Sequence, residues 1–268
     1  MQISRIGVIT HTRVKSELAR KIADKLSGNG IDLFFDPITA EKINREKTEV
    51  KDMRIDLAVI AGGDGTILWA VNELANNPLI LGINVGKVGY LAELNLENVM
   101  DKLDLLLKGK FFIDERMKLK IDNEFEVLNE VLILSRQASL LEFKISIDNI
   151  EIAKFRADGV MVSTPTGSTG HSMSSGGPIL HPGVKAYIIT PVNPFLREQF
   201  PLVVPADSET EIELIREGRG AQLILDGRII KEIKPHKRIS IKRAEKTTKF
   251  VRFSEDFGYD HINIRKKR

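Results

Sequence analysis

The stretch Leu57-Ala58-Val59-Ile60-Ala61, followed by Gly62-Gly63-Asp64-Gly65-Thr66, constrains the fold of this chain more than any other segment. An unbroken apolar run ending in glycine reads as a strand buried on both faces, as in a parallel sheet. Ile67, Leu68, Ala70, Val71 and Leu74 then recur as one apolar face of a helix. The glycines therefore occupy a strand-to-helix turn, where backbone N–H groups and a helix N-terminus make an anion site. A carboxylate in such a loop repels the phosphates that the loop attracts. Asp64 is thus expected to act on a proton or a metal beside a bound phosphate, the plainer alternative being a tight turn with an N-capping Asp.

Strand and helix alternate around this unit. Ile6 to Thr10 reads as a strand, Val14, Leu18, Ile22 and Leu26 as one face of a helix, and Ile31 to Phe35 as a second strand after Gly28-Asn29-Gly30. Leu79 to Ile83 is a further strand, running into Asn84-Val85-Gly86-Lys87-Val88-Gly89. In a doubly wound α/β pattern ligands sit at the carboxyl ends of the strands. Both glycine-rich loops fall there, which implies one cleft. Beyond about residue 110 the periodicity shortens. Glu126 to Leu134, Glu142 to Ile147, Gly159 to Ser163, Tyr187 to Thr190, Glu211 to Leu214, Leu223 to Leu225 and Ile239 to Ile241 read as strands. Asp148-Asn149, Gly176-Gly177 and Asp226-Gly227 mark the turns. The expected fold is a doubly wound α/β domain over residues 1–98 and a β-sandwich of two stacked sheets over residues 99–240.

Composition narrows the function. A chain of 268 residues that is 42% hydrophobic can bury a real core, and no apolar run is long enough to span a membrane. The first residues lead into a strand and lack a secretory cleavage site, so a cytoplasmic protein is expected. Without cysteine there is no disulfide or thiolate chemistry. A formal charge of +3 suits an enzyme handling polyanionic nucleotides and falls short of a nucleic-acid signature. Arg265-Lys266-Lys267-Arg268 reads as a solvated tail, and His11, His181, His236 and His261 form no spaced metal cluster. Trp69, one turn past the glycine loop, fits core packing better than a ligand pocket.

A second constellation is Asp158-Gly159-Val160-Met161-Val162-Ser163-Thr164-Pro165-Thr166-Gly167-Ser168-Thr169-Gly170, continuing through His171-Ser172-Met173-Ser174-Ser175-Gly176-Gly177-Pro178. An apolar strand enters a run of hydroxyls and glycines and then a short helix from about Ser168. Small residues admit a ligand to the backbone, and hydroxyls supply adaptable donors and acceptors.

With these blocks the chain closely resembles the NAD kinase family. The likeness covers Gly62 to Thr66, Gly82 to Leu91, Asn129-Glu130 and Asp158 to Pro178, extended by Ile189 to Pro194 and Asp226-Gly227. Gly-Gly-Asp-Gly alone is shared with lipid kinases and phosphofructokinases; the Thr-Pro-Thr-Gly-Ser-Thr block is far more specific. The resemblance implies transfer of the terminal phosphate of ATP, or of another donor such as polyphosphate, to the adenosine 2′-hydroxyl of NAD, giving NADP. It implies a C-terminal segment, residues 241–268, returning to the α/β domain, and a homodimer or homotetramer. Neither a nucleic-acid nor a membrane partner is expected. A divalent ion, Mg2+, would ride on the donor phosphates with no direct protein ligand.

By the same resemblance Asp64 is the general base, and Gly62, Gly63, Gly65 and Thr66 form the donor phosphate loop, with Asp64 and Gly65 also touching NAD. Asn129 and Glu130 read the adenosine. Asp158 and the run Thr169 to Ser174, with Thr169, Gly170, His171, Ser172 and Ser174, would hold the nicotinamide half, and Asn193, Asp226 and Arg228 are also assigned to NAD. Asp226 doubles as an ordinary turn residue. Family members with Arg at the position of Arg156 favour NAD over NADH, so NAD is the expected substrate. Gly170-His171 replaces the family's usual Ala-Tyr and Arg228 its frequent Gln, changes that bear on affinity and leave the reaction intact. A lipid or sugar kinase with the same loop, and a sensor that has lost catalysis, are the competing readings. Keeping Asp64 beside its glycines argues against the sensor.

Overall fold

The computed structural model describes residues 3–28, 30–86, 89–137, 139–196, 199–215 and 220–254. Lys87 and Val88 of the second glycine loop, His261 and the basic run 265–268 lie outside the described residues. The chain divides into two compact units, Met1–Glu115 with Thr248–Arg268, and Arg116–Thr247.

In the first unit, β1 (Arg5–Thr10) leads to α1 (Ser16–Leu26), which buries Ala19, Ile22, Ala23 and Leu26 along one face. β2 (Asp32–Phe35) is followed by α2 (Pro37–Ile43). The second helix has every start and stop signal: Asp36 accepts from the Ile38 and Thr39 N–H groups, Pro37 opens the first turn, and Asn44 closes the last with φ 53°. β3 (Leu57–Gly62) is buried at every position and runs into α3 (Asp64–Glu73). β4 (Leu79–Asn84), α4 (Val99–Leu107) and β5 (Phe112–Arg116) follow. The last strand of the chain, Thr248–Arg252, returns to lie parallel to β4 with Phe250 beside Ile80. The sheet order is β2-β1-β3-β4-returning strand-β5, with parallel pairing from β2 to the returning strand. This is the doubly wound architecture, and the glycine loop lies at the carboxyl end of β3.

The second unit is antiparallel. Its strands are β6 (Leu119–Ile121), β7 (Phe125–Val127), β8 (Glu130–Ser135), β9 (Leu141–Ile147) and β10 (Ile150–Ser163). A short helix α5 (His171–Ser174) precedes β11 (Ala186–Pro194), β12 (Leu202–Pro205), β13 (Thr210–Leu214), β14 (Ala221–Leu225), β15 (Arg228–Ile233) and β16 (Arg238–Arg243). One hydrogen-bonded sheet runs through all of them, because β10 belongs to both layers. Its first half pairs with β9, and its second half lies between β8 and β11. The curled sheet wraps a single core that includes Phe143, Phe155, Val160, Val162, Tyr187, Leu223 and Ile239. Inward positions switch from Phe155 and Ala157 to Val160 and Val162, so the strand changes phase at Asp158-Gly159. Gly159 sits at that point because a Cβ would lie 2.6 Å from the Ile133 carbonyl oxygen.

Two boundaries differ from the periodicity. The run Glu126 to Leu134 is split into β7 and β8, since the chain reorients at Leu128-Asn129. Strand β10 begins nine residues before Gly159 because Ile150 to Asp158 forms a hairpin with β9 around Asp148-Asn149, both in the left-handed region at φ 49° and 67°.

Candidate functional site

The first unit supplies a cavity and a carboxylate. Thr66 and Ile67 N–H groups bond back to the Gly63 carbonyl as α3 begins, which leaves the loop amides at the helix N-terminus facing outward. A Cβ at Gly62 would collide with Thr66 at 2.5 Å, whereas Gly63 and Gly65 have nothing within 4 Å of that position. The first glycine is thus a packing requirement, and the other two leave room for a ligand at the backbone. The cavity holds about 700 Å3 and is lined by both glycine loops, through Gly63, Gly65 and Thr66 on one side and Asn84, Val85 and Gly86 on the other. Thr10, His11, Thr12, Arg13, Ile38 and Trp69 complete it, so Trp69, expected in the core, is instead half-buried on the cavity wall. Lys42 braces the floor by donating to the His11 carbonyl at 2.7 Å, and burial pushes its ammonium below the usual lysine range.

Asp64 faces the second loop. Its Oδ2 accepts the Tyr90 N–H at 2.8 Å and its Oδ1 the Leu91 N–H at 3.1 Å. Gly89 permits this approach, since a Cβ there would lie 3.2 Å from Asp64 Oδ1 and from Asn84 Nδ2. A carboxylate has about four lone-pair positions, so two amide bonds hold its orientation and leave capacity for a hydroxyl proton. The amides of Tyr90 and Leu91 were not legible as functional groups: only the glycine at 89 hinted that something approaches closely.

In the second unit Asn129 and Glu130 stand at the start of β8, clamped from the β14–β15 turn. The Asp226 carboxylate accepts the N–H groups of Leu128 at 2.9 Å, Asn129 at 2.8 Å and Glu130 at 3.1 Å. The turn itself is of the left-handed hairpin kind, with Asp226 at φ 45° and Gly227 at φ 80°. The hydroxyl-rich block backs the same point. Thr164 donates to the Leu128 carbonyl at 2.6 Å, its N–H bonds the Asn129 carbonyl, and Gly167 lies so close that a Cβ would sit 2.2 Å from that oxygen. Asn129 Oδ1 and Glu130 Oε2 are buried and have no protein partner among the described residues. Buried acceptors of this kind are normally satisfied, so the pair is a candidate to accept from a ligand's donors. Burial and, secondarily, the Asp226 charge push the Glu130 carboxyl up to about 7.

The remaining residues assigned by resemblance fall near this point or along β10 and β11. Ser172 is fully buried and shares a 3.1 Å hydrogen bond with Thr190, holding the block to β11. Thr169 Oγ1 donates to the Thr166 carbonyl at 3.4 Å, and Gly170 is the N-cap of α5, which leaves His171 and Ser174 exposed. Asn193 Nδ2 donates to Asp158 Oδ2 at 3.1 Å across the β10–β11 pair. Arg156 is exposed, with its guanidinium 5.1 Å from the Phe195 ring centroid, beside a cavity of about 390 Å3 lined also by Glu142, Lys154, Phe155, Leu196 and Gln199. Arg228 follows the Asp226-Gly227 turn as the first residue of β15. Arg116, missed in the sequence, is buried with its Nη1 3.5 Å from Thr166 Oγ1. No group of three or more His, Asp or Glu side chains suited to a metal occurs among the described residues, and no helix is long and apolar enough to cross a membrane.

Both halves of the chain match family models: the ATP-NAD kinase N-terminal domain over residues 5–111 and the ATP-NAD kinase C-terminal domain over residues 128–253. An NAD kinase of Methanosphaera stadtmanae is 38% identical, over 97% of this chain and 98% of that protein. Among solved structures, an NAD kinase from Archaeoglobus fulgidus in complex with ATP aligns with a TM-score of 0.79 at 26% identity, over 96% of each chain. Yeast NADH kinase complexed with NADH aligns with a TM-score of 0.88 at 22% identity, over 98% of this chain and 87% of that one, a likeness of fold.

Proposed function

The chain belongs to the NAD kinase family, and on that premise we propose that it transfers the terminal phosphate of ATP to the adenosine 2′-hydroxyl of NAD. The observation that carries the reading is Asp64, a carboxylate fixed by two backbone amides at the junction of two glycine loops that line one cavity. In the proposed step the 2′-oxygen forms a bond to the γ-phosphorus, the bond from that phosphorus to the β,γ-bridging oxygen breaks, and ADP leaves. Asp64 takes the hydroxyl proton. General base catalysis of this kind contributes roughly 10²–10⁴ in rate. Positioning and charge neutralisation supply most of the remainder in phosphoryl transfer.

The cavity of the first unit suits the donor. Outward loop amides, Arg13 and open space over Gly63 and Gly65 match a polyphosphate chain, and Trp69 offers a flat apolar face. Mg2+ fits as a passenger of the donor: the lining supplies hydroxyl and amide oxygens, which are hard donors of the kind that ion accepts, and when bound it would offset the repulsion between two anionic substrates. Asn129 and Glu130 are assigned to the adenosine, Asn to the base edge and Glu to a ribose hydroxyl or the exocyclic amine. Arg156 is assigned to preference for NAD over NADH.

An NADP-formation assay with NAD, Mg2+ and either ATP or polyphosphate, run on the parent and on Asp64→Asn, tests the reading. Product from the parent with at least about a hundredfold less from the variant supports reaction and base together. No product from either donor, with NAD still bound, overturns the reaction. Equal turnover of NADH and NAD overturns the role of Arg156.

A further inference from the structure

Arg252 is fully buried on the returning strand, and neither sequence nor resemblance assigned it to chemistry. Its Nε donates to Asp114 Oδ2 at 3.1 Å, and its Nη1 donates to the Leu91 carbonyl at 3.0 Å and lies 3.4 Å from Glu93 Oε2. Glu93 in turn accepts the Phe253 N–H at 2.8 Å, and the guanidinium stands 5.0 Å from the Phe250 ring. Leu91 is the residue whose N–H holds Asp64 Oδ1. One residue therefore joins the two: its N–H faces the candidate base and its carbonyl faces a buried guanidinium.

The segment has no helix or strand of its own to fix it. It is pinned from one side by β4, where the Gly82 carbonyl accepts the Glu93 and Leu94 N–H groups and Gly82 leaves space for Ala92, whose Cα would lie 2.9 Å from a Cβ there. Arg252 pins it from the other. Burying an ion triad adds little stability over well-packed apolar residues, so its presence calls for another role. The guanidinium reaches these three acceptors from two nitrogens of one rigid plane, Nε toward Asp114 and Nη1 toward Glu93 and the Leu91 carbonyl. A lysine would have to reach all three from a single nitrogen on a flexible stem.

We propose that Arg252 is a positioning residue for the reaction, holding the 89–92 segment so that its amides aim the Asp64 carboxylate. This rests on the reading of Asp64 as the base. Misplacement of a reacting group by about 1 Å can cost on the order of 10²-fold in rate without weakening substrate binding.

The test is a double-mutant cycle on the full chain with NAD and ATP. Arg252→Lys keeps the charge and loses the fork. Its kcat is expected to fall by about ten- to a hundredfold, with both KM values within about twofold of the parent. Asp64→Asn/Arg252→Lys is expected to be no slower than Asp64→Asn, because a residue acting through Asp64 then has nothing to act on. Amide exchange at Tyr90 and Leu91 is expected to quicken by about tenfold in Arg252→Lys, a readout independent of turnover. Unchanged kcat in folded Arg252→Lys overturns the proposal, as does a loss that multiplies with that of Asp64→Asn. If Arg252→Lys does not fold, Glu93→Gln carries the same measurements, and normal kcat with unchanged exchange overturns it. Full activity of Asp64→Asn alone is a distinct result: it removes the base, and with it the catalytic meaning of the 89–92 segment, whatever the exchange data show.

Discussion

Burial and the neighbouring Asp226 carboxylate push Glu130 up to about 7 from an ordinary 4.5. The folded chain thus binds this proton more tightly than the unfolded chain does. Its contribution to stability is fully favourable below about 4.5, falls as pH rises toward about 7, and stays at its lowest above that. At roughly 1.4 kcal/mol per unit the penalty above neutrality is of order 3 kcal/mol. Glu130→Gln removes the titration while keeping shape and an acceptor. Thermal melts are expected to show the variant more stable than the parent near pH 8 and level with it near pH 4.5, with KM for NAD raised. A gain of equal size at both pH values would sink this account. Its Oε2 is buried with no protein partner among the described residues, which is what the proposed role of Glu130 in binding the adenosine requires. Asp226 acts one step back. Asp226→Ala strands three backbone N–H groups and is expected to lower stability in urea by about 2–4 kcal/mol and to raise KM for NAD. A variant that binds NAD normally would return Asp226 to the status of a turn residue.

At the scale of elements, the glycines separate packing from binding. Gly167 presses on the Asn129 backbone, so Gly167→Ala must displace the Asn129-Glu130 pair and is expected to cost about 1–3 kcal/mol and to weaken NAD use. Gly63 has open space over it and an extended φ of −99°, so Gly63→Ala is expected to leave stability within about 0.5 kcal/mol while raising KM for ATP. Unchanged KM for ATP would separate that loop from the donor. The β3–loop–α3 unit was legible because a fully buried strand, a glycine turn and a helical face agree over sixteen consecutive residues, Leu57 to Asn72. Other elements gave no such agreement. Helix α2 is short and follows its capping Asp36-Pro37 after only a four-residue strand, so periodicity had little to work on. In β12 and β15 most apolar side chains are exposed, and no alternation between a wet and a dry face marks them as strands. The Asn129-Glu130 pair was legible only by resemblance. Its clamp on Asp226 links positions 97 and 96 residues apart, and no local pattern records that.

At the scale of the whole molecule, β12 leaves an edge that a free chain does not tolerate well. Among the described residues it pairs with β11 alone. Leu202 and Val203 are exposed on it, and Phe195, Leu196 and Phe200 are exposed just before it, Phe200 at 76%. Native proteins blunt such edges with charge, proline or a covering element, and a flat apolar edge otherwise invites pairing. Pro201 precedes this strand and Pro205 ends it, yet between them lies only Leu202-Val203-Val204. A second copy of the chain is the occupant that would cover this edge by the same apolar side chains, as a two-fold interface requires. The homodimer or homotetramer implied by the family resemblance thus has a surface of the right chemistry. Light scattering on the purified chain is expected to give an even-numbered oligomer. Phe200→Asp with Val203→Lys, both changes lying on exposed positions, is expected to halve the mass without lowering the melting temperature of either core. A parent that runs as a monomer at micromolar concentration, or a double variant with unchanged mass, would leave the edge uncovered and place any assembly elsewhere on the molecule.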